Sequence, residues 1–151
     1  DINRGVLYIV DYAHTPDALE KVLKTIHAMV TKQASLISVV GCGGNRDGAK
    51  RPVMGGLAAK WSKEAIFTDD NPRKEDPVSI TDAMQSGVAA DDREKVLIIN
   101  DRKQAIHTAF RLAKKGDIVL VAGKGHETYQ EINGVKHDFD DRKVIEDIIG
   151  N

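Results

Sequence analysis

LISVVGCGGNRDGAK, residues 36–50, changes character at its middle. Leu36 to Val40 is almost wholly apolar and rich in β-branched residues, the composition of a strand covered on both faces. It runs directly into the glycine-rich loop GCGGNRDGAK, residues 41–50. Pro52 then reads as the first residue of a helix that continues to about Trp61. The same alternation appears on either side. Upstream, Leu7 to Val10 is a short strand stopping at Asp11, and Thr15-Pro16 supplies an N-cap followed by a first-turn proline. The helix begun there carries an apolar stripe of Ala18, Leu19, Val22, Leu23, Ile26, Met29 and Val30. Downstream, Ala65 to Thr68 is a strand, and Asp76-Pro77 caps a helix to about Val88. Lys95 to Ile99 is a fourth strand. Asp101 with Gln104 resembles a capping box for a helix to Lys114, closed by Gly116. Asp117 to Ala122 is a fifth strand. Tyr129 to Ile132 and Val135 to Phe139 then flank Asn133-Gly134, a strong hairpin signal, and a last helix spans Asp141 to Ile149. This pattern predicts an α/β fold, Rossmann-like, with a mostly parallel sheet, helices on both faces and a β-hairpin forming an antiparallel edge near the C-terminus.

The 151 residues fit one domain of ordinary size, and 41% hydrophobic with 30% charged residues is the composition of a soluble globular protein. A net charge of −1 gives no electrostatic reason to expect nucleic acid or a membrane surface. A single cysteine, Cys42, excludes an internal disulfide and a Cys-based zinc cluster, and no metal site is expected in this chain. The cysteine usage agrees with a reducing compartment, so cytoplasm is the expectation. No apolar run approaches the ~20 residues of a membrane span, and the start DINRGVLYIVDYAH lacks the order of a signal peptide. That start has no methionine and enters a strand almost at once, so an excised piece of a longer protein is expected.

Open parallel sheets bind ligands beyond the carboxyl ends of their strands. The segments leaving the five strands carry Asp11 and His14; the glycine loop with Arg46 and Asp47; Asp69-Asp70-Asn71-Pro72-Arg73; Asn100-Asp101; and Gly123-Lys124-Gly125-His126-Glu127. A rim with both charge signs suits a zwitterionic ligand. Two standard phosphate fingerprints fail. A G-x-G-x-x-G pattern would need glycine at Arg46, and a G-x-x-x-x-G-K-[ST] pattern beginning at Gly43 meets Ala49-Lys50-Arg51 after Gly48. The glycine loop also reads, as the lesser alternative, as a tight strand-to-helix turn needing positive φ. Arg46 and Arg73 could each grip a carboxylate through a planar fork, or sit as solvated loop charges. Asp69, Asp70 and Asn71 also read as turn formers before proline. Composition and periodicity lead no further than a binding rim.

Several uncommon blocks in one order carry a resemblance: DYAHTPDALE, GCGGNRDGAKRP, TDDNPRKEDP, AGKGHETYQ and the later DDRKV. Together they resemble the C-terminal domain of the Mur ligases, in particular the diaminopimelate-adding type, over about residues 11–142. The resemblance implies that residues 1–151 are the amino-acid-binding domain of a three-domain enzyme, whose N-terminal UDP-sugar domain and central P-loop domain are absent from this chain. It further implies an ATP-dependent, amide-forming ligase of peptidoglycan synthesis. Such an enzyme adds meso-diaminopimelate to UDP-N-acetylmuramoyl-L-alanyl-D-glutamate through an acyl phosphate, with ATP and Mg2+ in the full-length protein; the isolated domain is expected to be inactive.

Carried over by motif, the diaminopimelate-recognition positions are Asp70, Asn71, Pro72 and Arg73, with Arg46, Gly123 and Glu127 contacting the same ligand. Asp11 and His14 match positions near the nucleotide, and Lys50 and Arg51 are phosphate-side cations. The resemblance implies that Arg73 pairs the second carboxylate that distinguishes diaminopimelate from lysine, while Glu127, Asp70 and Asn71 face ammonium. The catalytic groups are expected outside this chain. The alternatives are another ligase of the superfamily (lysine-adding, D-alanyl-D-alanine-adding, folylpolyglutamate or cyanophycin synthetase) and a non-catalytic small-molecule binding module.

Overall fold

Every residue of the strand Leu36–Cys42 (β3) is buried, and its side chains divide by parity between two cores. Leu36, Val40 and Cys42 enter one core; Ile37 and Val39 enter the other. This is the two-faced burial that a continuous apolar run demands in a parallel sheet. The computed structural model describes residues 2–3, 5–30 and 34–150. Its other main-sheet strands are Ile2–Asn3 (β1), Val6–Asp11 (β2), Glu64–Asp69 (β4), Val96–Ile98 (β5) and Ile118–Ala122 (β6). They lie in the order β1-β2-β6-β3-β4-β5, with β1 antiparallel to β2 and every other pairing parallel.

Helices Pro16–Met29 (α1), Lys50–Trp61 (α2) and Pro77–Ser86 (α3) share the core of Leu36, Val40 and Phe67. Helices Arg102–Leu112 (α4) and Asp141–Ile149 (α5) share the core of Ile37, Val39 and Val119. Strand order explains the division. From β2 to β3, β4 and β5 the chain advances in one direction across the sheet, so right-handed crossovers put α1, α2 and α3 on one face. From β5 it turns back to β6 in the middle, and the same handedness puts α4 on the other.

The helix starts follow their caps. Thr15 Oγ1 accepts from Ala18 N at 3.3 Å, Asp76 Oδ1 from Val78 N at 3.1 Å, and Asp101 Oδ1 from Gln104 N at 3.2 Å. The fold differs from the sequence pattern in four places. α2 begins at Lys50, two residues before Pro52, without a side-chain cap. Ala90–Lys95 forms a 3-10 turn whose charged, aperiodic sequence gave no sign of it. Met29 is 57% exposed at the end of α1 and leaves the apolar stripe. The hairpin Tyr129–Ile132 (β7) and Val135–Asp138 (β8) pairs as expected but forms a two-stranded sheet of its own. It is tied to the rim of the main sheet by an isolated β-bridge, Arg73 to Ile132, and by hydrogen bonds to the loops after β4 and β6, and the antiparallel edge of the main sheet is β1.

Candidate functional site

β2, β3 and β4 continue into helices on one face, whereas β6, lying between β2 and β3, leads to the hairpin and then to α5 on the other. Chains diverge to opposite faces beside β6, and that divergence opens a crevice at the carboxyl ends. A cleft of ≈ 430 Å³ lies there, lined from all four strand ends. His14, Arg46, Lys50, Arg51, Asp70, Asn71, Arg73, Gly123 and Glu127 all border it. Asp11 and Pro72 do not. The Asp11 carboxylate turns back to accept from Ala13 N at 2.8 Å, closing the turn after β2. Pro72 is buried behind the wall, where its backbone meets the glycine loop.

That meeting explains one glycine. A Cβ on Gly44 would stand 1.8 Å from the Pro72 carbonyl oxygen, so only glycine lets the two loops approach. Their contact is hydrogen-bonded: Gly44 N donates to Asn71 O at 2.7 Å, and Arg73 Nη1 donates to Gly44 O at 3.0 Å. Arg73 itself adopts a left-handed backbone, φ 55°, which the hairpin secures from both sides. Arg73 N donates to Glu131 O at 2.9 Å, and Asn133 N donates to Arg73 O at 2.6 Å. Its Nε lies 3.6 Å from Glu131 Oε1. The guanidinium is thus held along one edge by Gly44 O and Glu131 while it borders the cleft.

Asn71 is 3% exposed and its amide orientation is set by its partners. Oδ1 accepts from Lys124 Nζ at 2.8 Å and from Glu131 N at 2.9 Å, so it has no capacity left for a ligand. Nδ2 faces Glu127 Oε1 at a long 3.5 Å, leaving this residue a donor toward the cleft. Asn71 therefore suits a carboxylate rather than the ammonium expected from the sequence. The acceptors on that side are Glu127 and Asp70. Gly123, φ 119°, turns the chain after β6 and donates its N–H to Asp11 O at 3.1 Å, tying the β6 loop to the end of β2.

The cations divide into two groups. Arg46 and Lys50 are exposed at the cleft and make no ion pair among the described residues. Arg51, expected as a phosphate-side cation, has its guanidinium taken up elsewhere. It is 8% exposed, its two terminal nitrogens donate to Glu75 Oε2 at 2.9 Å and Oε1 at 2.8 Å, and Nη2 also donates to Gly43 O at 3.0 Å. The hydrogen bond from Arg51, with one from Asn45 N, holds the Glu75 carboxyl below its usual range. Arg51 thereby fastens the glycine loop to the segment after Arg73. His14 is exposed, with Nδ1 2.9 Å from Tyr12 O and its ring edge-on to Tyr12 at 4.7 Å. Cys42 lies in the cleft floor, where burial and then the Asp70 charge push its thiol up to about 12, so it is a packed thiol and no nucleophile.

Two structural centres have roles the sequence does not reveal, Lys124 reading there only as one of the rim charges. Arg102, on α4, is fully buried and bidentate to Asp141, with Nε to Oδ1 at 2.8 Å and Nη2 to Oδ2 at 2.7 Å. It also donates to Asp69 O and Ala122 O, the carbonyls that end β4 and β6. Lys124, equally buried, joins the β4 and β6 loops. Neither reads as unusual in sequence, where an arginine at a helix start and a lysine between glycines look solvent-facing.

Residues 1–125 match the family model described as Mur ligase, glutamate ligase domain. The UDP-N-acetylmuramoyl-L-alanyl-D-glutamate–2,6-diaminopimelate ligase of Bacteroides thetaiotaomicron is 57% identical over 145 residues, 96% of this chain and 30% of that protein. The same-named ligase of Cytophaga hutchinsonii is also 57% identical, over 95% of this chain and 29% of its own length. A solved structure of a ligase of that name superposes with a TM-score of 0.91 at 46% identity, covering 99% of this chain and 30% of the other. The chain thus spans about 30% of the length of these relatives. A murein peptide ligase from Psychrobacter arcticus shares the fold at a TM-score of 0.63 and 16% identity. With the matched model covering most of its length and relatives more than half identical, the chain belongs to the Mur ligase family, as its glutamate ligase domain.

Proposed function

We propose that this chain is the amino-acid-receiving domain, residues 1–151, of a cytoplasmic ligase that joins meso-diaminopimelate to UDP-N-acetylmuramoyl-L-alanyl-D-glutamate in peptidoglycan synthesis. The observation that carries the reading is Arg73. Its guanidinium is held by Gly44 O and Glu131 along one edge and borders a cleft whose other side bears Glu127 and Asp70. A zwitterionic amino-acid end fits such a site, its carboxylate toward Arg73 and Asn71 Nδ2, its ammonium toward Glu127. Lysine lacks that carboxylate and would leave the cleft-facing side of the half-buried Arg73 guanidinium without the ligand's charge-assisted hydrogen bonds, which is how a site built for a polar group discriminates against an analogue that lacks it.

The partners are diaminopimelate, the UDP-linked acceptor, ATP, and the N-terminal and central domains of the same polypeptide. ATP would supply the phosphoryl group that converts the acceptor's γ-carboxylate into an electrophile. On this chain His14 and Lys50 border the cleft and suit the nucleotide, Lys50 as a cation toward phosphate; Arg51 serves the loop instead. Mg2+ would enter with the nucleotide on residues of the central domain, in keeping with the lack of a phosphate-loop motif here. The chain's own contribution is to hold the amine in place and exclude water.

In the full-length enzyme, Arg73→Ala raises the KM for diaminopimelate about 10- to 100-fold, the loss of charge-assisted hydrogen bonds worth about 1.5–3 kcal/mol, while the KM for ATP stays put. Steady-state kinetics in both substrates checks this. An unchanged diaminopimelate KM refutes the assignment.

A further inference from the structure

We infer that Lys124 is a positioning residue for amino-acid selection, an inference that rests on the reading just given. Its ammonium is wholly buried, 0% exposed, between the β4 and β6 loops. It donates hydrogen bonds to Asn71 Oδ1 and Tyr129 O, each at 2.8 Å, and lies in ion-pair range of Asp70 Oδ1 at 3.2 Å and Glu127 Oε1 at 3.6 Å. Such a group cannot reach a ligand. It acts on the residues that can.

Two consequences follow for the cleft. The first concerns the Asn71 amide. With Lys124 Nζ and Glu131 N both donating to Oδ1, only Nδ2 is left to face the cleft, so Lys124 fixes Asn71 as a donor beside Arg73. Without the ammonium, Oδ1 could turn toward the ligand and confront a carboxylate with an acceptor. The second concerns charge. Asp70 and Glu127 bring two negative charges to the subsite, and the ammonium between them leaves one. One net negative charge matches the single ammonium of an amino-acid end. Two would favour a cation without a carboxylate, which is the lysine side chain. Asp70 Oδ1 is buried and accepts no hydrogen bond among the described residues; its ion-pair partner is the Lys124 ammonium at 3.2 Å, with the buried Arg102 guanidinium a second positive charge acting on it. The residue thus sets both the donor character of one side of the site and the charge of the other.

The test is the ratio of kcat/KM for diaminopimelate to that for lysine in the full-length enzyme. Lys124→Met keeps an unbranched side chain, one atom shorter, and removes its charge. The expected result is a ratio at least about tenfold lower, through a higher diaminopimelate KM, with the ATP KM within about twofold of wild type. Because the single change leaves Asp70 uncompensated, the pair Lys124→Met with Asp70→Asn is measured beside it. This pair restores one negative charge but not the lock on Asn71, so it keeps its fold and still has a lowered ratio. If the pair variant loses activity toward both amino acids in equal proportion, Lys124 only ties the loops together and the proposal is overturned. An undiminished ratio in either variant overturns it as well. A wild-type enzyme that discriminates between neither amino acid would instead sink the reading of the site on which the inference rests.

Discussion

Replacing Arg102 by methionine should remove more stability than any change at the rim of the cleft. The Arg102 and Asp141 side chains are both 0% exposed and joined by two hydrogen bonds, at 2.8 and 2.7 Å. Methionine would leave the Asp141 carboxylate buried and unpaired, a situation that costs about 3–5 kcal/mol. It would also strip a donor from Asp69 O and from Ala122 O. A chain of this size has about 5–15 kcal/mol in total, so the variant should fold but with a much reduced margin. With a urea slope of about 2 kcal/mol per molar, the unfolding midpoint should fall by about 1.5–2.5 M. The control is the double replacement Arg102→Met with Asp141→Leu. Removing both charges abolishes the desolvation penalty along with the attraction, so the double variant should regain at least half of the lost midpoint. Urea unfolding followed by circular dichroism measures all three proteins. A single variant that loses under about 1 kcal/mol, or a double variant no better than the single, would show that the pair is not the buried, mutually compensating unit described.

Gly44→Ala should cost about 2–4 kcal/mol, because its Cβ would meet the Pro72 carbonyl at 1.8 Å and backbone cannot rotate away as a side chain can. Gly134→Ala, at φ 79° but in open space, should cost about 1–2 kcal/mol; urea midpoints that place the two in the reverse order would contradict the loop contact. The Glu75 carboxyl is held below its ordinary value near 4.5, so its contribution is present above that pH and is lost as pH falls through the lowered value. Glu75→Gln should therefore flatten the decline of the urea midpoint between about pH 5 and pH 3 while lowering stability at pH 7. Part of the decline should remain, since Asp140, where burial pushes upward but Arg142 outweighs it, is also held low. An unaltered acid slope in the Gln variant would dissociate Glu75 from the Arg51 pair.

Local rules sufficed wherever the chain's neighbours in sequence are also its neighbours in space. The β3 run was legible because seven buried residues in a row have only one comfortable setting, and the helices after β2 and β4 were legible from Thr15-Pro16 and Asp76-Pro77. The start of α2 was misplaced because Pro52 does lie in a first turn, but nothing in Ala49 or Lys50 advertises a cap, and none forms. β1 is two residues long, too short for any periodicity. The hairpin was legible as a hairpin. Its position was not, because what anchors it is the backbone of Arg73 and the side chain of Asn71, sixty residues away from Glu131.

The charged residues make the same point about function. Arg46, Arg51, Arg73, Arg102 and Lys124 all sit in polar, glycine- or aspartate-rich surroundings in sequence, and by composition they are equivalent. Folding separates them. Arg51 finds Glu75 at a distance of 24 residues, Arg102 finds Asp141 at 39, and Lys124 finds Asn71 at 53. Those three become a framework: one fastens the glycine loop, one joins two strand ends, one holds two loops together. Arg46 is left exposed and Arg73 half-buried at the cleft, and these retain N–H groups for a ligand. The division has a kinetic consequence that does not depend on which amino acid is bound. Changes at Arg51 or Arg102 should alter stability and act on every substrate alike, whereas changes at Arg73, which lose its bonds to Gly44 O and Glu131, should cost only about 1 kcal/mol of stability and act chiefly on one substrate's KM. Lys124 belongs to the framework by burial and to the site by its partners, which is why selection between amino acids, rather than activity alone, is the measurement that reveals its role.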